Sequence, residues 1–213
     1  MKIRSIAAKT AGTLGCAVLL ALSPANAGTV AAPKGSSFDS QEPFSLGAEV
    51  SLGYDSSYIF RGVDFGEHSV WGDVNVTVPF DDVWSLNVGA WYTSLAGEDY
   101  DELDVYGGVT ADLGAVEVGV GLTWYYFPRG GGDVLEPTAH IGGSLGPVDL
   151  SLGFFYDLEV DGSYLELAAE TEIELTDVIS LVPGASISYA DSYYGVNGFN
   201  NIGLSLALPI ALT

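Results

Sequence analysis

From Phe44 onward, apolar and polar residues alternate with a period of two, the pattern of β-strands whose two faces meet different surroundings. In "AVEVGVGLTWYYF", Val116, Val118, Val120, Leu122, Trp124 and Tyr126 share one face, and Glu117, Gly119, Gly121, Thr123 and Tyr125 the other. In "VDLSLGFFYDLE", Val148, Leu150, Leu152, Phe154 and Tyr156 oppose Asp149, Ser151, Gly153, Phe155 and Asp157. Ten such segments cover residues 45–60, 69–80, 84–95, 101–113, 115–127, 134–145, 147–158, 163–175, 179–190 and 199–212. Helical periodicity is missing throughout this region. The pattern predicts one all-β domain over 44–213, a ten-stranded antiparallel up-and-down β-barrel.

The connections predict two unlike ends. Short turns at Asp81-Asp82, Gly114, Gly146 and 176–178 alternate with longer polar segments, "RGVDFGEH", "AGEDY", "PRGGGD", "EVDG" and "DSYYGVNG". Outer-membrane barrels have this layout, with short periplasmic turns and longer extracellular loops. Alternation alone also fits a soluble periplasmic ligand-binding barrel, in which the apolar face would point inward. Glycine on the polar face (Gly47, Gly53, Gly89, Gly119, Gly121, Gly153, Gly184, Gly203) favours the membrane form, because glycine weakens a solvent-facing strand but makes room in a crowded lumen. The apolar face carries almost no mid-strand charge, as a lipid-facing surface requires. Aromatic residues gather at strand ends. Tyr58, Phe60, Tyr92, Trp124, Tyr126, Phe154, Tyr156 and Tyr189 are expected to form a girdle at the headgroup level.

The start of the chain agrees with export. Lys2, Arg4 and Lys9 precede an apolar stretch from Ala11 to Leu22 and a small-x-small site ending at Ala27, so residues 1–27 read as a cleaved signal peptide. Residues 28–43 read as a flexible N-terminal segment. Cys16, the only cysteine, leaves with the signal, so no disulfide or thiol chemistry is expected. What remains has 28 acidic residues and only Lys34, Arg61 and Arg129 as cations. That excludes nucleic-acid binding, which needs Lys and Arg to displace counterions. Yet the mean hydropathy is +0.30 and 48% of residues are hydrophobic. Apolar and acidic character must therefore occupy separate faces.

Glu49, Asp55, Arg61, Asp73, Asp104, Asp112, Glu117, Glu136, His140, Asp149, Glu166, Glu170, Glu172 and Glu174 all fall on the face predicted to line the lumen. A narrow tube with an acidic wall attracts cations. Arg61 is expected at the lumen mouth, paired with a carboxylate. His140 shares its strand face with Glu136, but two residues already span about 6.6 Å along a strand, so no metal site is expected there. Nucleophile elbows and phosphate loops are missing, so no enzyme activity and no cofactor are expected. The predicted partners are outer-membrane lipid and, at the acidic loops, divalent cations. Two functions remain open for the barrel. One is a narrow cation-preferring porin for ions or small solutes. The other is a plugged barrel acting as a structural or adhesion protein, since Trp71, Trp91, Tyr125 and Phe155 share the polar face.

The stretch "SSYIFRG", residues 56–62, resembles the opening strand of TorF-type porins, also catalogued as the Gcw_chp family of bacterial secreted proteins. The Ser-x-Tyr-x-Phe-Arg-Gly pattern maps onto Ser56 or Ser57, Tyr58, Phe60, Arg61 and Gly62. The resemblance implies an outer-membrane barrel without catalytic residues. The final Leu212-Thr213 departs from the terminal aromatic that such barrels commonly carry.

Overall fold

The computed structural model describes residues 47–210; the expected signal peptide, the 28–43 segment and Leu212-Thr213 lie outside them. The described chain is an antiparallel sheet of eleven strands. These are β1 (Gly47–Phe60), β2 (Val63–Pro79), β3 (Trp84–Leu95), β4 (Asp101–Asp112), β5 (Glu117–Tyr126), β6 (Val134–Leu145), β7 (Val148–Asp157), β8 (Gly162–Glu170), β9 (Ile173–Thr176), β10 (Ile179–Tyr193) and β11 (Val196–Ala207). Each strand pairs with the next in sequence, except that β8 pairs directly with β10 while β9 pairs only with the start of β10. The segment predicted over 163–175 is thus two strands. It breaks at Thr171-Glu172, where the Thr171 hydroxyl bonds the Pro147 carbonyl (2.5 Å).

Two of the predicted loops are strand. "RGVDFGEH" contains only a tight turn, Arg61-Gly62, before β2 begins at Val63. "DSYYGVNG" contains only Tyr194-Gly195. Both turns have two successive positive φ angles, 50° and 80° in the first and 47° and 81° in the second. That geometry matches the right-handed twist of a hairpin and allows a two-residue connection. Length asymmetry between the two ends therefore rests mainly on the segments between β3 and β4 and between β5 and β6.

The sheet curls around its polar face. In a flat sheet, β1 and β6, five ladder steps apart, would lie about 24 Å from one another. Instead Arg61, at the end of β1, touches Glu136 on β6 at 2.5 Å. The two outermost strands of the path approach each other at the same end, where Asn200 Nδ2 donates to the Arg61 carbonyl (2.9 Å). Among the described residues no backbone ladder joins β1 to β11. The aliphatic rows face outward: Leu52 is 77% exposed, Leu204 70% and Val120 63%. The largest fully buried side chains are polar or phenolic (Glu136, Asp157, Ser69, Thr93, Tyr164). Charged and hydroxyl groups thus occupy the interior, the reverse of a water-soluble core.

Candidate functional site

Arg61 organises the interior. Its guanidinium grips Glu136 with both prongs, Nη1 to Oε2 at 2.5 Å and Nη2 to Oε1 at 2.8 Å. The fork of Arg matches the two carboxylate oxygens, and such charge-assisted pairs are the strong ones. Tyr125 donates its hydroxyl to Oε1 (3.0 Å), and Tyr193 donates to Oε2 (2.9 Å) while accepting from Arg61 Nη1. The guanidinium carbon also lies over the rings of Phe155 (4.0 Å), Phe60 (4.6 Å), Tyr164 (5.0 Å) and Tyr193 (5.3 Å). A desolvated cation over an aromatic face gains up to about 2 kcal/mol. The Arg61 side chain is 10% exposed and that of Glu136 1%. Residues of β1, β6, β7, β8 and β10 thus converge on one guanidinium, and Tyr125 of β5 on its carboxylate partner.

Local irregularity sets this arrangement. The β1–β2 register slips between Tyr58 and Ile59, which pair with Gly66 and Asp64 and leave Phe65 as an extra residue. A second irregularity sits at His68, with φ of 59°. Opposite these irregularities of β2, the end of β1 departs from the alternation of its first half. Ile59 turns out, 50% exposed. Tyr58 and Phe60 turn in, which corrects their assignment to the outer girdle. Tyr58 packs on Phe65, Trp91 and Tyr100 and donates to Glu102 (3.1 Å), while Phe60 meets Tyr125 edge-on. Arg61 then reaches the interior through its left-handed turn conformation, not through strand parity.

The other expected girdle residues lie outside. Tyr92, Trp124, Tyr126, Phe154 and Tyr189 are exposed on the apolar face, and Trp124 stacks on Tyr126 (5.4 Å). Tyr156 follows Phe154 on that face and donates to Asp161. At the opposite end Phe80 and Trp84 are exposed.

The expected lining carboxylates occupy three levels. Near Arg61, Asp104 sits beside Glu102 on β4, with Asp104 Oδ1 buried and unpartnered, and Asp55 pairs with buried Ser69 across the β1–β2 ladder. Lower down, Asp73 accepts from the Tyr106 hydroxyl (2.9 Å), which in turn accepts from Asn75 (3.1 Å), and Glu166 accepts from Tyr164 (3.0 Å). At the short-turn end, Glu117 Oε1 lies 3.5 Å from His140 Nε2, Glu49 accepts from Ser51 (3.3 Å) and Asp149 from Ser144 (2.5 Å). Asp112 accepts from the Gly114 N–H (2.7 Å) and so shapes a turn. Glu174 lies opposite Ser180, while Glu172 falls in the break between β8 and β9. Here an open cleft of about 360 Å³ is lined by Asp149, Glu166, Glu170, Ser151, Ser186 and Ser205. The interior is therefore filled at the Arg61 end and open at the other.

Arg129, the second cation, stays on the rim. It contacts Asp101 (2.5 Å) and Asp99 (2.9 Å) with half its side chain in solvent. Those carboxylates, Asp101 foremost, raise its pKa further. Beside it, burial first and Glu102 next push the Tyr100 phenol up. Sequence reasoning missed Glu102 and Tyr100, although Glu102 stands two residues from Asp104 on the same strand face and so was within reach of the alternation. It also missed Tyr193, which it placed inside a loop.

No curated protein matches this sequence. Among solved structures, an anion-selective porin from Comamonas acidovorans resembles it at 16% identity and a TM-score of 0.38, covering 78% of this chain and 53% of that one. The chain thus spans about half the porin's length. A family model, described as a bacterial protein of unknown function (Gcw_chp), matches residues 37–208, and the chain belongs to that family.

Proposed function

We propose that this chain closes into a small up-and-down β-barrel in the outer membrane and acts as a narrow, cation-preferring pore for ions or small solutes. One observation carries the reading: aliphatic side chains stand outward in rows while carboxylates and hydroxyls are enclosed. Such a surface is stable against hydrocarbon and unstable against water. A soluble ligand-binding barrel needs the opposite arrangement. The outer aromatics, Trp124 and Tyr189 at one end and Phe80 and Trp84 at the other, suit the two headgroup zones. Cation preference follows from the interior charge. Arg61 is already matched by Glu136, which leaves Asp73, Asp149, Glu166 and Glu170 to set the field.

A second reading, a plugged barrel with a structural or adhesive role, is favoured by the packed Arg61 end. Planar-bilayer recording separates them. Under a salt gradient the pore reading expects single-channel steps whose reversal potential moves toward the cation limit. A shift toward anions refutes the preference, and a protein that stays in the aqueous phase without detergent refutes the barrel. Silence from folded, inserted protein favours the plug.

A further inference from the structure

We propose that the Arg61–Glu136 pair is the constriction of this pore, a charge-neutral stopper whose size, not its charge, limits flow. The inference rests on the pore reading and identifies where passage is controlled. Three observations place it. First, Arg61 stands on a two-residue turn with φ of 50°, a conformation that disfavours every side chain except Gly, Asn and Asp. The residue is held there against local preference, and its side chain is folded inward instead of out into water. Second, that side chain crosses the interior to β6, and Phe155, Tyr164 and Tyr193 close around it from β7, β8 and β10. The space around the guanidinium is occupied by rings and one neutralised ion pair, with buried Glu102 and Asp104 of β4 beside them. Third, the interior widens away from it, into the open cleft of about 360 Å³ between β7, β8, β10 and β11.

A structural ion pair serves equally well on a wall, between adjacent strands. This one spans the interior and holds the hairpin turn of β1 over it. Because the pair is neutral, it contributes bulk and little field. The unpaired carboxylates at other levels keep the selectivity, so size and charge are controlled at different heights of the same tube.

Two variants separate the roles. Arg61→Ala/Glu136→Ala removes bulk and leaves the net charge unchanged. Arg61→Ala alone removes bulk and also uncovers a carboxylate. Folding is checked first by heat-modifiable gel mobility. In planar bilayers the double variant is expected to conduct about threefold more than the wild type, or to conduct where the wild type is silent, with its reversal potential unmoved. The single variant, where it folds, moves the reversal potential further toward cations. Equal conductance in wild type and a folded double variant overturns the constriction and leaves the pore standing. Silence from both folded, inserted proteins overturns the pore reading and the constriction together.

Discussion

The Trp71 indole lies flat against Gly53, its partner across the β1–β2 ladder, with no room between them for a Cβ. The relationship recurs on the polar face. Tyr106 covers Gly89 on β3, and the His140 ring covers Gly119 on β5. Inward glycines are thus berths for rings. They let large side chains lie along the sheet instead of standing out from its inner face.

Gly53→Ala should therefore be costly. The added methyl either pushes the indole into the interior or bends the strand, at about 1–3 kcal/mol. Gly142 is also on the polar face, but a Cβ there would meet only the Leu150 carbonyl at 3.6 Å. Gly142→Ala should change stability by no more than about 0.5 kcal/mol. Urea unfolding of both variants in detergent checks the contrast. Equal midpoints would remove the berth argument.

The Arg61–Glu136 pair should show strong coupling. Arg61→Leu or Glu136→Leu alone strands a buried charge and should cost about 3–5 kcal/mol. Arg61→Leu/Glu136→Leu should cost less than either single change, because it leaves no orphaned charge. A double-mutant cycle on refolding yield and urea midpoint measures this. Strict additivity would mean that the two side chains act independently.

Alternation along the chain disclosed the antiparallel strand order of the main path and the exposed row to which Leu52, Val120 and Leu204 belong. It failed where a backbone irregularity intervened. Where β2 carries an extra residue, Phe65, and a kink at His68, Tyr58 and Phe60 of β1 emerge on the inner side. "RGVDFGEH" reads as a loop because Gly, Asp, Glu and His dominate it. Its polar residues are spread along the start of β2, which a composition argument cannot distinguish from a turn. The partner of Arg61 was out of reach for a different reason. Glu136 is 75 residues away and meets Arg61 only because the sheet curls. Local sequence specifies strands and faces, while curl decides which strands look at one another.

The turn glycine Gly62 should resist substitution. Its φ is 80°, and a Cβ there would also press on Asn201. Gly62→Ala should cost about 1–2 kcal/mol from left-handed backbone strain alone. It should also loosen the Asn200–Arg61 contact between the first and last strands. Trypsin cleavage at Arg61 reports this directly. The wild-type bond should be protected and the variant's cut.

Asp81 should give the β2–β3 turn an acid-sensitive component. The backbone N–H groups of Trp84 and Val83 donate to its carboxylate at 2.7 and 2.8 Å and hold its pKa below the ordinary 3.8. A carboxyl with a depressed folded pKa contributes stability that is complete above 3.8 and fades as pH falls through the lower folded value. Asp81→Ala should therefore be less stable than wild type at neutral pH, and the two should converge below that value. Paired urea midpoints from neutral to strongly acidic pH test it. A gap that persisted in acid would mean the side chain acts through something other than its charge.

Sidedness decides most of the functional reading and can be measured without a transport assay. Cys16 is the only cysteine in the sequence, so with Cys16→Ser single cysteines can be spin-labelled cleanly. Leu204→Cys on β11 and Val120→Cys on β5 replace strongly exposed outward side chains. Their nitroxides in proteoliposomes should collide freely with oxygen, which concentrates in hydrocarbon, and poorly with a water-soluble nickel chelate. Ser186→Cys, in the cleft on the opposite face, should show the reverse preference if solvent enters the interior. High nickel accessibility at positions 120 and 204 would place the aliphatic rows in water. A surface that apolar cannot persist in water on a monomer, so that result would require a protein partner in place of lipid.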